Sequence, residues 1–147
     1  MNYRHHFHAG NFADVVKHAL LIQLIRAQQK KEKGFLYLDT HAGRGRYDLA
    51  AAARGDSLAR QPEWPDGIGR LWDLAGLPEA LADYVRLVRE FDRNAGNAGS
   101  PPRFYPGPPA LARPLARPQD RLALCEKQPA ECAALEGEFQ FSPGARV

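Results

Sequence analysis

The sequence predicts an α/β fold organised on a parallel sheet, and three observations carry that prediction. "FLYL", residues 35–38, is a short apolar run rich in strand formers, closed by Asp39 and the glycine turn "THAGRG". It is apolar at both odd and even positions, the pattern of a strand buried on both faces. The pattern returns in "RLALCE", residues 121–126, which runs into the helix-like "PAECAALEGEFQ". Strand, tight turn and helix in that order open a βαβ unit.

The elements follow in chain order. "MNYRHHFHAG" is a polar, aromatic, histidine-rich tail. A helix then begins with Asn11 as its cap, and Asp14 lies where the helix dipole favours a carboxylate. Val15, Val16, Ala19, Leu20, Ile22 and Ile25 keep a helical spacing to about Gln29, and Gly34 ends the segment. After the glycine turn, "YDLAAAA" restarts a helix. Residues 54–69 read as loop. From Pro78 the positions Leu81, Tyr84, Val85, Val88 and Phe91 mark the most regular helix of the chain, ending near "NAGNAG". Residues 100–118 hold seven of the twelve prolines, so turns and one short helix are expected there. The terminal "ARV" reads as the start of a third strand. In domain terms, 1–49 is tail, first helix and strand-turn, 50–99 a helical insertion, and 100–147 the continuation of the main domain.

At 147 residues the chain is one domain's worth, long enough for a real core. No stretch approaches the roughly 18 apolar residues of a membrane span, and no signal peptide is visible. Two cysteines, Cys125 and Cys132, are too few for a disulfide framework. A cytoplasmic monomer is expected. Net charge is +3, which is compatible with nucleic acid but does not single it out.

In open parallel sheets, ligands sit beyond the C-terminal ends of the strands, where glycines let backbone approach them. Gly43 and Gly45 provide that access. A dinucleotide site wants a third glycine, with an acidic residue roughly 20 positions further on. Here the third position is Asp48, whose carboxylate opposes a pyrophosphate, and Glu63 lies in a proline-flanked loop. S-adenosylmethionine carries no phosphate. It calls for a carboxylate at the first strand's end, for its positively charged methionine part, and a second at the next strand's end, for the ribose. Asp39 and Glu126 occupy those places. The competing reading is a tight turn with no ligand.

Among the histidines, His41 sits inside the turn, facing the expected ligand. His18 lies on the apolar stripe of the first helix, where a core histidine satisfied by a carbonyl is the plain reading. His5, His6 and His8 match no zinc spacing. Tyr3, Arg4 and these histidines suit stacking on nucleotides and phosphate contact, against the alternative of a disordered terminus.

"YRHHFHAGNFADVVKH" followed by "FLYLDTHAGRGRYDL" resembles the RlmJ family of 23S rRNA adenine-N6 methyltransferases, whose members have also been labelled as proteins of external DNA catabolism. "LPEALADYV", "RFYPGPPALAR" and "LALCEKQPAE" extend the likeness across essentially the whole chain. The resemblance implies a Rossmann-like, S-adenosylmethionine-dependent fold with a small helical insertion, truncated here after the start of the third strand. It implies His18 and His41 on the cofactor and Glu126 on its ribose, with 23S rRNA as partner. It also implies Tyr3 and His5 in the tail against the RNA, and Lys17 beside the active site. The family's proline-rich loop has a serine at the cofactor where this chain has Pro108, which offers neither hydroxyl nor N–H. A carbonyl or shape contact remains, at a cost of about 1 kcal/mol in affinity.

The family's catalytic Asp-Pro-Pro-Tyr motif is not among these 147 residues; "SPPRF" at 100–104 is a lookalike with Arg103 at the aromatic place. The catalytic aspartate is therefore expected beyond Val147. The alternative function is a noncatalytic nucleic-acid-binding protein linked to use of external DNA, which has no need of the cofactor. On the methyltransferase reading, the chain alone is inactive and only marginally folded. Methyl transfer to rRNA above background contradicts the first expectation, and a cooperative unfolding transition at high temperature contradicts the second.

Overall fold

The structure is a computed structural model that describes residues 7–52 and 61–147. Tyr3, His5, His6 and the first part of the predicted 54–69 loop lie outside the described residues. In chain order the elements are α1 (Phe12–Gln28), β1 (Leu36–Asp39), β2 (Arg46–Asp48), α2 (Leu49–Ala52), α3 (Ile68–Leu71), α4 (Glu79–Asn94), β3 (Phe104–Pro106), α5 (Pro108–Ala112), β4 (Arg121–Leu124), α6 (Pro129–Phe139) and β5 (Ala145–Arg146). The chain divides into two compact units. One is drawn from Met1–Leu20 and Tyr47–Tyr105, the other from Leu21–Arg46 and Pro106–Val147.

The second unit carries a parallel sheet in the order β1-β4-β5, with Leu36 opposite Arg121, Asp39 opposite Leu124 and Leu122 opposite Ala145. The predicted strands and the "ARV" strand are thus present, and all three are parallel. Their core is Ile25, Ala42, Ala112, Leu122, Leu124, Leu135 and Phe139, with Leu21, Phe35 and Tyr37 packed against it. Gln128 caps α6 by accepting the Glu131 N–H at 2.7 Å, and Pro129 takes the first helical position.

At the opposite end of the strands from the glycine turn, Asp120 is buried and holds the chain ends together. Its Oδ1 accepts the Phe35 N–H at 3.1 Å, and its Oδ2 accepts the Arg117 N–H at 2.9 Å and Nε at 3.0 Å. Arg117 in turn donates to the carbonyls of Gln29 and Lys31, tying down the segment after α1. The Arg117 guanidinium holds the Asp120 carboxyl well below the usual carboxylate range.

In the first unit, Asn11 caps α1 as predicted, its Oδ1 accepting the Asp14 N–H at 2.9 Å. The helix from Pro78 is also present. Tyr84, Val85, Leu87 and Val88 form its buried side, and Asp92 near its end accepts the Phe104 N–H at 2.7 Å. β2 and β3 pair as a separate two-stranded sheet.

Four expectations are corrected. β1 is not buried on both faces: Leu36 and Leu38 are 61% and 58% exposed, because among the described residues nothing covers the face they share. The α1 stripe divides in two, with Val15, Ala19, Ile22 and Ile25 buried but Val16 and Leu20 exposed. "YDLAAAA" is not one helix, since Tyr47 and Asp48 belong to β2 and, among the described residues, the helical part is Leu49–Ala52. The 54–69 loop contains a 3-10 turn at Trp64–Asp66 and the start of α3.

Replacing Asp120 by alanine removes the acceptor of two half-buried backbone N–H groups and leaves the Arg117 guanidinium only its carbonyl partners. A loss of about 2–3 kcal/mol in unfolding free energy is expected in urea titrations. The depressed carboxyl gives the pH sign: its contribution is present above the unfolded value of about 3.9 and fades as pH falls below it. Asp120→Asn should flatten that acid limb. An unchanged pH profile would show that Asp120 does not carry it.

Candidate functional site: the C-terminal ends of β1 and β4

The β1–β4 ladder continues past the last paired residues of the strands. Cys125 donates its N–H to the Asp39 carbonyl at 2.8 Å, and Ala42 donates back to the Cys125 carbonyl at 3.0 Å. One step on, the Gly43 N–H meets not a carbonyl but the Oε2 of Glu126, at 2.9 Å. The other oxygen of Glu126 accepts the Gln128 N–H at 2.8 Å. A side chain at the tip of β4 thus closes the turn that leaves β1.

Asp39, at the tip of β1, is held equally firmly. Its Oδ1 accepts the His41 N–H at 3.0 Å and its Oδ2 accepts the Tyr37 hydroxyl at 2.9 Å. Burial, reinforced by the neighbouring Asp39 charge, pushes the Tyr37 phenol above its ordinary value, so it stays a donor. Asp39 and Glu126 are half-buried and His41 is exposed, with Nδ1 3.0 Å from Thr40 Oγ1. Two hydrogen-bonded carboxylates therefore lie at and just beyond the C-terminal ends of adjacent strands. Each keeps acceptor capacity, since an ionised carboxylate offers about four lone-pair sites.

The two glycines do different work. Gly43 and Gly45 have φ of 64° and 78°, the left-handed region that favours glycine. At Gly45 a Cβ would lie 3.3 Å from Leu135 Cδ1 and Glu138 Cγ, so its missing side chain makes room for α6. Gly45 thus serves turn shape and helix packing, and the amide that meets the Glu126 carboxylate belongs to Gly43. The Gly45 carbonyl accepts the Gly107 N–H at 2.7 Å, which sets Pro108, the first residue of α5, next in chain to the turn's partner.

The structure brings Asp39, His41, Gly43, Gly45, Pro108 and Glu126 into one unit, whereas His18 and Lys17 belong to the other. His18 is 2% exposed, and its Nδ1 lies 2.8 Å from the Tyr105 hydroxyl. Lys17 is exposed and pairs with the buried Asp14 at 2.9 Å. Sequence reading missed Tyr105 and Tyr84, whose hydroxyls are 2.9 Å apart; the helical spacing marked Tyr84 only as an apolar position. Asp48 fills the N-terminus of α2, accepting the Ala50 N–H at 2.9 Å. Glu63 bonds Asn11 and His8. Among the described residues no group of three metal-ligating side chains comes together, and both cysteines are free thiols.

A family model described as "Ribosomal RNA large subunit methyltransferase D, RlmJ" matches residues 32–147. A protein of Escherichia coli named ribosomal RNA large subunit methyltransferase J is 44% identical over the whole chain, which covers 49% of that relative. Its namesake in Haemophilus influenzae is 43% identical, with 50% of its length covered. A crystal structure of a Legionella pneumophila protein superposes with a TM-score of 0.78 at 37% identity, over 95% of this chain and 48% of that one. The chain spans about half the length of the curated relatives it matches. The family model covers both strands that carry the paired carboxylates and the turn between them, and on that match the chain belongs to the RlmJ family of large-subunit ribosomal RNA methyltransferases.

Proposed function

We propose that the tips of β1 and β4 form the S-adenosylmethionine half-site of a Rossmann-like methyltransferase acting on adenine N6 in 23S ribosomal RNA. The observation that carries this reading is the paired closure of the turn: Asp39 ordered by Tyr37 and His41, Glu126 ordered by Gly43 and Gln128. The donor set fits the cofactor, which is cationic at its methionine end and offers a ribose diol. Asp39 takes the cationic portion and Glu126 the ribose hydroxyls. His41 borders the turn that Gly43 and Gly45 shape, Pro108 contributes shape without a donor, and His18 supplies a hydrogen bond. When bound, the cofactor supplies an electrophilic methyl group.

What these residues contribute is binding and orientation, which supply much of the rate of a transfer between two bound reactants. No residue of the chain is assigned as the acid or base of the reaction, since the Asp-Pro-Pro-Tyr motif is not in the sequence. On this reading residues 50–99 are a helical insertion within the methyltransferase domain formed by 1–49 and 100–147. Tyr3, His5 and the exposed Lys17 face the RNA, and the protein works as a cytoplasmic monomer.

Isothermal titration of the 147-residue chain with S-adenosylmethionine tests the proposal. Binding should be measurable, and Asp39→Ala and Glu126→Ala should each weaken it by roughly tenfold or more, about 1.4 kcal/mol. Binding indifferent to both substitutions would remove the half-site from the tips of β1 and β4. No binding by the folded chain, together with retained affinity for RNA, would favour the noncatalytic nucleic-acid binder.

A further inference from the structure

The end of the parallel sheet opposite the glycine turn carries a cluster of cations that the candidate site does not use. Arg117 spends all its N–H donors there: on Asp120, and on the carbonyls of Gln29, Lys31 and Lys33. Gln119 adds a bond from Nε2 to the Glu32 carbonyl at 3.3 Å. Gly34 lies so close to the Gln119 carbonyl that no side chain fits between them. The segment 29–33 is thus laced by its backbone to the loop before β4, while Lys30, Lys31, Glu32 and Lys33 stay exposed. Arg121 opens β4 opposite Leu36, and with Arg113 and Arg117 it lines a cleft of about 460 Å³. Its Nη1 donates to the Pro118 and Asp120 carbonyls at 2.7 and 2.8 Å. Its Nε and Nη2 have no partner among the described residues, and neither do the ammonium groups of Lys30, Lys31 and Lys33.

Arg117 and Asp120 neutralise each other, so the surface that remains sets four cations, Lys30, Lys31, Lys33 and Arg121, against the carboxylate of Glu32. That local excess of three positive charges equals the formal net charge of the entire chain, +3. A helix C-terminus favours nearby cations, which accounts for Lys30 and Lys31 just after α1. It does not account for Lys33, beyond the last turn, or for Arg121 on a strand. Nor does it call for an arginine that fixes the backbone beneath three lysines.

We propose that this pole of the sheet binds the phosphate backbone of RNA without reading its sequence. Ammonium groups meet phosphates as point charges, and a guanidinium with a free edge matches a phosphate's oxygens. Because Arg117 already holds the backbone of the segment, binding costs it little more than side-chain freedom. β1 is four residues long, so the pole lies roughly 10 Å from Asp39 along the strand. A phosphate held here belongs to RNA flanking the target nucleotide. That this RNA is ribosomal rests on the functional reading above; the surface itself does not.

The test is fluorescence anisotropy of a short labelled RNA hairpin with the 147-residue chain, between about 50 and 200 mM salt. Wild type should bind, with log affinity falling linearly as log salt rises. The triple variant Lys30→Gln/Lys31→Gln/Lys33→Gln should bind roughly tenfold more weakly and lower that slope by about 2–3, since each lost phosphate contact removes close to one. Arg121→Gln should lower it by about 1. Removing the same charge from the other unit, by Arg70→Gln/Arg86→Gln/Arg93→Gln, should leave the slope as it is. No binding by the wild-type chain would overturn the proposal. So would a slope that the lysine variant leaves unchanged, or one that both triple variants lower equally, which would assign the effect to net charge. Tighter binding to anionic phospholipid vesicles than to the hairpin, lost in the lysine variant, would overturn it in favour of lipid headgroups. Titration with S-adenosylmethionine separates the two readings, because the lysine variant should keep wild-type affinity for it. A chain that binds RNA through these lysines but no cofactor keeps the pole and overturns the half-site.

Discussion

The hydrogen bond from the Gly43 N–H to the Glu126 carboxylate is the constraint on which the rest of the candidate site depends. Two parallel strands end together, and their ladder has to hand over from backbone pairing to loop. Here the handover is made by a side chain, with Asp39, Cys125 and Ala42 supplying the last backbone bonds before it. Because Glu126 also accepts from Gln128, it fixes both the turn leaving β1 and the approach to α6. The positive φ at Gly43 and Gly45 and the close packing of α6 on Gly45 follow from a turn held this tightly. At the other end of the same strands, Asp120 and Arg117 do an analogous job. The sheet is clamped at both ends by carboxylates that accept backbone N–H groups.

Much of this was legible in the sequence because the signals were local. Asn11 as a cap, Pro78 before α4, Pro129 in the first turn of α6 and the apolar runs of β1 and β4 each follow from a few neighbouring residues. What was not legible depends on partners far away in the chain. β2 and β3 are three-residue strands, too short to show a period of two, and β3 ends on Pro106. The exposure of Leu36 and Leu38 depends on what covers a sheet face, about which an apolar run is silent. α1 shows the same limit. Phe12, Val16, Leu20 and Leu24 are spaced as regularly as its buried residues, yet all four are exposed.

The candidate site was readable to a similar depth. Asp39 and Glu126 stood out because a carboxylate at the end of an apolar run has few structural reasons to be there. The division of labour between Gly43 and Gly45 was hidden, since it depends on where α6 packs. For His18 the sequence allowed a satisfied core residue, and the resemblance implied a ligand contact. In the structure His18 is buried, with its Nδ1 hydrogen-bonded to the Tyr105 hydroxyl.

The two hydrogen bonds on Glu126 have an entropic consequence. A free glutamate samples several rotamers, and freezing such a side chain on binding typically costs about 0.5–1.5 kcal/mol. With one oxygen on Gly43 and the other on Gln128, the folding of the turn has already restricted that freedom. A hydroxyl reaching the remaining lone pairs meets an acceptor already in place. Its contribution to affinity is then reduced mainly by its own desolvation.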